Sequence, residues 1–235
     1  AVYQVYFYTN IFTLGSVFIT MFFAISAMLR DKQHNMESLI YSSSITKAQY
    51  FWSRFLGTFI FSVLAFSPFL LGYFLGVNFS DLDPERINDF QILTYLQPLL
   101  YMVIPNIFIC STIIFSVSTL TKSSTATYVS AVFIYTLYFV SSIFLNSPLM
   151  AQAVPASPES MAMAALADPF GIAAFFEQTQ YWTPFQKNTQ LLSLSGLFLK
   201  NRFVWILVSL GFLLATYKLF SFRKITKKVK KDSKI

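Results

Sequence analysis

Long apolar stretches are the feature of this sequence that most restricts its fold. Five of them are each close to the ~20 apolar residues that a helix needs to cross the hydrocarbon of a bilayer. Backbone polar groups inside a bilayer must be satisfied within the segment, so we expect each stretch to form an α-helix. The sequence therefore predicts an all-α integral membrane protein with five spans, at approximately residues 8–29, 55–75, 95–120, 126–145 and 203–222.

The composition supports a membrane protein and not a soluble one. Of the 235 residues, 55% are hydrophobic and only 11% are charged, whereas about a quarter of the residues in soluble domains are charged. The net charge of +7 is concentrated in the basic tail, residues 223–235, and beside the predicted span ends. A positive-inside bias explains this distribution, so we expect membrane lipids as partners and no nucleic acid.

Lysine and arginine are distributed unequally between the two sides of the predicted membrane domain, residues 1–222. If the loop of residues 30–54 is cytoplasmic, thirteen of the seventeen cations lie on the cytoplasmic side. This arrangement predicts a cytoplasmic C-terminus and places Ala1 outside. The first predicted span then enters from the outside, which favours a further span upstream.

The interval from Arg30 to Arg54 is the only long polar stretch in the first half of the chain. Met36, Leu39 and Ile40 recur at helical spacing within it and predict a short amphipathic helix between two spans. The apolar stripe of such a helix is suited to contact with a partner protein. A second interruption, residues 146–202, is predicted to form interfacial or re-entrant segments on the outer face, with short helices at Met161–Ala167 and Gly171–Gln178.

Motifs for catalysis are absent from the sequence. It contains no G-x-x-x-x-G-K-[ST] phosphate loop and no H-E-x-x-H, and His34 is its only histidine. We therefore expect no enzymatic activity, metal or cofactor in this chain. No ionisable residue lies deep in a predicted span, which disfavours an ion-coupled secondary transporter.

Pro98, Pro105 and Asn106 interrupt the third predicted span. Proline removes a backbone hydrogen bond and frees carbonyl groups within a helix. Two interpretations remain open for these residues. They form either a kink that neighbouring helices satisfy or part of the lining of a substrate path.

A series of different short motifs is distributed along nearly the whole chain, and their order and spacing carry a resemblance to a known family. In the loop they are Arg30-Asp31, Glu37-Ser38-Leu39-Ile40, Ser42-Ser43-Ser44, Lys47, Tyr50 and Arg54-Phe55-Leu56-Gly57. Further along they include Asp83-Pro84-Glu85-Arg86, Pro105-Asn106, Asp168-Pro169-Phe170-Gly171 and Asn201-Arg202. The loop resembles the first cytoplasmic loop of type-2 ABC exporter permeases. The motifs together resemble the branch often fused to a zinc peptidase domain of the aminopeptidase N kind.

This resemblance implies most of a six-span permease half that pairs with a second half in the bacterial plasma membrane. The loop would be the coupling helix, docking on separate ATP-binding subunits that carry ATP and Mg²⁺. The docking contacts implied are Met36, Glu37, Leu39, Ile40 and Ile45, with Lys47 and Arg54 as charged flanks. The family's first span and a peptidase domain are not within these residues, so no peptidase activity is carried over. The alternative is a non-transporting membrane anchor or scaffold for a peptidase or other enzyme domain.

Overall fold

The computed structural model describes residues 2–36, 39–40, 43–78, 90–150 and 157–221. Every regular element in these ranges is helical, and five helical segments are long and apolar enough to cross a membrane. The prediction of an all-α membrane protein with about five spans is confirmed. Spans 1 to 5 are Val2–Asp31, Lys47–Val77, Ile92–Thr121, Ser124–Phe144 and Gly196–Leu219.

The first two spans differ in continuity. Span 1 consists of helices α1 (Val2–Phe12) and α2 (Ser16–Gln33), joined by a 3₁₀ turn at Thr13–Gly15. Span 2 is one uninterrupted helix, α3 (Lys47–Asn78), which contains Pro68. Both spans are apolar and, at 30 and 31 residues, long enough to cross a bilayer.

Span 3 changes its helical geometry close to its prolines. Helix α4 (Ile92–Pro98) leads into a π-helical turn at Leu99–Val103, and α5 (Ile104–Thr121) follows. Proline has no N–H to donate and clashes with the carbonyl four residues earlier, so a wider turn before Pro105 relieves both problems. The span thus carries one irregular turn in the half that begins at Ile92.

Span 4 is helix α6 (Ser124–Phe144), and its start is defined by Ser123, whose side chain accepts from the backbone N–H of Ala126 at 3.3 Å. The described part of the segment between spans 4 and 5 folds into short helices and forms no additional span. They are α7 (Pro158–Ala167), α8 (Ile172–Thr179) and α9 (Pro184–Thr189). The first two coincide with the helices expected from the sequence at 161–167 and 171–178. We call residues 157–195 the outer segment.

Span 5 is helix α10 (Gly196–Leu219), which begins earlier than the predicted start at Phe203. Lys200 and Arg202 are therefore helical, and the Arg202 side chain is only 4% exposed. Arg202 lies just outside the predicted span 203–222, so the search for ionisable residues within predicted spans did not include it. Hydropathy could not find this helix start because its polar residues are satisfied by distant parts of the chain.

Span 3 is the central helix of the bundle. Its most apolar window is 67% buried, compared with 17% for span 2 and 22% for span 4. Helix α5 packs against both α2 and α10, while α2 also packs against α3. Span 3 is therefore surrounded by other parts of the chain. Spans 2 and 4 instead have exposed apolar faces that are available to lipid.

Candidate coupling surface and outer polar cluster

The loop between α2 and α3 is defined at both ends by local hydrogen bonds. At its start the backbone N–H of Met36 donates to the carbonyl of Asp31 at 2.8 Å. At its end Thr46 and Gln49 cap α3 reciprocally: the Gln49 N–H donates to Thr46 Oγ1 at 3.2 Å, and the Thr46 N–H donates to Gln49 Oε1 at 3.0 Å. This capping box fixes where span 2 begins.

The docking residues implied by the sequence divide into exposed and packed side chains. Met36, Leu39 and Ile45 are 44%, 63% and 42% exposed. Ile40 instead packs against the buried residues beneath the loop, and Glu37 lies outside the described residues. Three apolar side chains exposed on one short loop form a surface suited to a partner.

The Asp31 carboxylate joins the end of span 1 to the start of span 2. Arg54 Nη2 lies 2.7 Å from Asp31 Oδ2, and the Tyr50 hydroxyl donates to the same oxygen at 3.0 Å. The guanidinium also lies over the Tyr50 ring, 5.3 Å from its centroid. Arg54 is thus held by residues of this chain, and its docking contact stays a prediction.

An aromatic core lies directly beneath the loop and contains residues from spans 1, 2, 3 and the end of span 5. Phe51 contacts Phe115 and Tyr217 edge-on, at 5.3 and 5.2 Å between ring centroids. Lys47 Nζ lies 4.6 Å from the centre of the Tyr217 ring. We call this group the loop-side core; its buried members are Met28, Leu29, Tyr50, Phe51, Phe55, Phe115, Leu213 and Phe220. Displacement of the loop would move the ends of four spans together, because close-packed interiors transmit strain.

A second group of side chains, the outer polar cluster, lies buried at the opposite end of the bundle. Arg202 Nη1 donates to Asn106 Oδ1 at 2.6 Å. The Asn106 amide in turn donates to Thr13 Oγ1 at 2.7 Å and to the carbonyl of Phe170 at 3.0 Å. The Asn10 amide, also from span 1, donates to the carbonyl of Gly171 at 3.5 Å. Spans 1, 3 and 5 are thus bonded to one turn of the outer segment.

Asn201 supplies the partners for the end of α7. Its Nδ2 donates to the carbonyls of Ala165 and Asp168, both at 2.7 Å. Its Oδ1 accepts from Arg202, at 3.0 Å from Nε and 2.6 Å from Nη2. The last carbonyls of a helix have no partner within the helix, so this amide satisfies groups that burial would otherwise leave unpaired.

Asp168 performs the corresponding role at the start of α8. Its Oδ1 accepts from the Phe170 N–H at 2.8 Å, and Oδ2 accepts from the Ala173 N–H at 2.7 Å. Burial raises the pKa of the Asp168 carboxyl above its ordinary value, while the Ala173 N–H, Arg202 and the Phe170 N–H oppose that rise. The position at a helix start also favours a carboxylate.

Gly171 allows the guanidinium of Arg202 to approach the backbone. Its φ is +68°, and a Cβ placed there would lie 1.8 Å from Arg202 Nη2. Glycine is required at this position both by the left-handed conformation and by the space that the guanidinium occupies. The backbone of the Asp-Pro-Phe-Gly motif therefore leaves the space in which the Arg202 guanidinium packs.

Sequence reasoning identified one member of the outer polar cluster and missed the others. Pro98, Pro105 and Asn106 are all buried, and Asn106 is a central member of the cluster. Their role as lining of a substrate path stays a prediction. Asn10, Asp168, Asn201 and Arg202 were not among the candidates. An amide inside a long apolar run was the available signal for Asn10, as it was for Asn106.

The described residues contain no group of three or more histidine, cysteine, aspartate or glutamate side chains that could hold a metal ion. The single cysteine, Cys110, is buried in span 3.

Comparison with known proteins agrees with this architecture. The sequence pattern of the ABC-2 family transporter protein matches residues 1–217, which is nearly the whole chain. No curated protein and no solved structure matches the chain significantly. The chain therefore belongs to the ABC-2 transporter family and is a membrane-spanning permease subunit of an ABC transporter.

Proposed function

We propose that this chain forms one half of the translocation path of an ATP-driven exporter and receives movement from separate ATPase subunits through the loop between spans 1 and 2. The observation that carries the proposal is the loop-side core. It connects that one loop to the ends of spans 1, 2, 3 and 5. A push or pull on the loop thus reaches four of the five spans.

The exposed side chains of the loop supply the docking surface. Leu39 is the most exposed of the three, at 63%, and Met36 and Ile45 lie three residues before it and six after it. Apolar side chains of this kind fill grooves on partner proteins, while nearby charges set the register. We assign Met36, Glu37, Leu39 and Ile45 to docking. Ile40 belongs to the packed side of the loop.

Lys47 and Arg54 keep the loop in position for docking. The contacts of Lys47 with Tyr217 and of Arg54 with Asp31 tie the start of span 2 to spans 5 and 1 respectively. Both cations contact side chains of this chain. A loop that is rigidly joined to its spans transmits force, whereas a flexible loop would absorb it.

The remaining parts of the transporter are assigned to other subunits. ATP and Mg²⁺ are held by the ATPase subunits, and a second permease half completes the path. The loop and the C-terminal tail face the cytoplasm of a bacterial cell, and the outer polar cluster closes the opposite side of the membrane. Fusion to a peptidase domain, implied by the resemblance of short motifs, stays a prediction.

The test is co-purification of the chain with candidate ATP-binding subunits of an ABC transporter, before and after Leu39→Asp. The charge should abolish complex formation and transport-linked ATP hydrolysis. Leu194→Asp is the matched control, because Leu194 is also exposed, at 41%, but lies in the outer segment. An intact complex with Leu39→Asp would contradict the docking role. Retention of a peptidase domain without any ATPase subunit would instead favour a scaffold.

A further inference from the structure

A groove of 980 Å³ runs between spans 1 and 2 next to the loop. Helix α2 contributes Phe23 and Ser26 to its wall, and helix α3 contributes Arg54, Gly57 and Phe61. The α3 residues recur three or four positions apart, so they form one stripe on the helix. The groove therefore follows the two helices from the aqueous end toward the middle of the membrane.

The chemistry of the groove changes from polar to apolar along this direction. Gln49, Ser53 and Arg54 lie near the loop, while Phe23 and Phe61 stack at 6.0 Å between centroids at the far end. From Gln49 to Phe61 the helix rises by about 18 Å, at ~1.5 Å per residue. This length is close to the ~15 Å of hydrocarbon in one leaflet. The polarity of the groove decreases from its mouth inward, as the polarity of a phospholipid decreases from headgroup to acyl chain.

Arg54 is a prearranged donor at the polar end. Asp31 holds its Nη2 and the Tyr50 ring lies beside the guanidinium, which fixes its orientation. Among the described residues, Nε and Nη1 have no protein acceptor. Arginine donates in a fork that matches phosphate oxygens, so the groove has a fixed anion-binding group at its mouth.

We propose that this groove binds an anionic phospholipid of the leaflet on the loop side, with its phosphate on Arg54 and an acyl chain beside Gly57 and Phe61. Basic pockets between membrane helices bind phospholipid headgroups in this manner. The groove borders the docking surface at Ile45, which lines its mouth, and it shares no residue with the outer polar cluster. It extends the proposed function, because a lipid in this groove would contact both spans that the loop connects.

Charge argues against a second copy of this chain as the occupant. A two-fold contact places the same surface of each copy against the other. It would bring two Arg54 side chains together, with Arg30 and Lys47 of both copies nearby in the sequence. Asp31 offsets one of these positive charges in each copy, and the remaining positive excess is reduced by an anionic lipid but doubled by a second copy.

The test uses native mass spectrometry of the full chain, purified in a neutral detergent without ATPase subunits. Phosphatidylglycerol and phosphatidylcholine with identical palmitoyl and oleoyl chains are added separately. Both lipids offer a phosphate to Arg54, but only phosphatidylglycerol has a net negative charge, so we expect the protein to retain it at about fivefold lower concentration. Inorganic phosphate at millimolar concentration should not displace it. Equal retention of the two lipids, or displacement by phosphate, would overturn the proposal.

Gly57→Leu fills the groove directly. A Cβ at Gly57 meets no atom within 4 Å, and the same holds for Gly72 on the same helix outside the groove. Gly57→Leu should lower retention of phosphatidylglycerol about tenfold, and the control Gly72→Leu should leave it unchanged. The double variant Asp31→Asn with Arg54→Gln should remove the preference for phosphatidylglycerol without leaving an unpaired carboxylate. Unchanged binding in Gly57→Leu would show that the lipid lies elsewhere.

A cysteine in the groove tests the competing occupant. Cys110 is buried, so Ser53→Cys introduces an exposed thiol at the groove mouth. We expect no disulfide-linked dimer after mild oxidation in membranes. Efficient formation of that dimer would assign the groove to a second copy of the chain and overturn the lipid proposal.

Discussion

Arg202 of span 5 donates from Nη1 to Oδ1 of Asn106 of span 3 across 2.6 Å. Both side chains are almost entirely buried, at 4% and 0% exposure. Charge-assisted hydrogen bonds are roughly twice as strong as neutral ones. The bond therefore joins the last span firmly to the central one, at the end of the bundle opposite the loop.

Arg202→Met should strongly destabilise the protein. The change leaves Asn106 Oδ1 without its guanidinium donor and leaves the buried Asp168 carboxylate without a nearby cation. Removal of one partner from a buried charged group costs about 3–5 kcal/mol. Thermal unfolding in detergent should show a clear fall in Tm. The control is Lys200→Met, an exposed position on the same helix, where a change within ~0.5 kcal/mol is expected. Equal Tm values for the two variants would contradict the assignment.

Gly171→Ala should destabilise the protein far more than Gly196→Ala. Both glycines have positive φ, +68° and +59°, but a Cβ at Gly196 meets no atom within 4 Å. Gly196→Ala therefore measures backbone strain alone, about 1 kcal/mol. Gly171→Ala must in addition displace Arg202. Its cost should approach that of Arg202→Met, and the double variant should cost less than the sum of the two. Additive costs would show that the two residues are independent.

The Asp31–Arg54 pair should contribute modestly to stability. The two side chains are 11% and 31% exposed, so solvent screens their attraction and about 1 kcal/mol of coupling is expected. A double-mutant cycle with Asp31→Asn and Arg54→Gln measures this coupling from unfolding. Higher salt should reduce it, because the pair is partly exposed. A coupling energy near zero at low salt would mean that the pair does not fix the loop.

Thr46→Ala should uncouple the loop at a small cost in stability. Loss of an N-cap side chain costs about 1 kcal/mol. Thr183 caps α9 with the same reciprocal geometry in the outer segment, so Thr183→Ala is a control with a matched loss of stability. Only Thr46→Ala should lower ATP hydrolysis that depends on the assembled transporter. Equal effects of the two variants on hydrolysis would assign the loss to stability alone.

Hydropathy predicted the number and class of the spans because a bilayer imposes their length and their composition. It placed the start of span 5 at Phe203 instead of Gly196, since Asn201 and Arg202 look like loop residues in a local window. Their partners lie in α7, in the following turn and in span 3, far away in the sequence. Long-range pairing of this kind leaves no local pattern.

The loop between spans 1 and 2 carries a local signal. Met36 and Leu39 recur at helical spacing in a polar interval, and both side chains are exposed, while their docking role stays a prediction. Spacing alone could not predict that Leu39 is exposed while Ile40 packs against the loop-side core, because this difference depends on residues distant in the sequence. The inward contacts of Lys47 and Arg54 depend on Tyr217 and Asp31, which only the folded bundle brings close.

The π-helical turn at Leu99–Val103 changes the directions in which side chains before and after it project from span 3. In a regular α-helix, Gln97 and Asn106 would project about 180° apart, at ~100° per residue. One residue inserted by a π turn reduces that difference to about 80°. Both side chains thereby reach span 1, Gln97 at Tyr6 and Asn106 at Thr13. Deletion of a single residue from Leu99–Val103 would rotate one of these contacts away from span 1, so homologues without the turn should show a one-residue gap there.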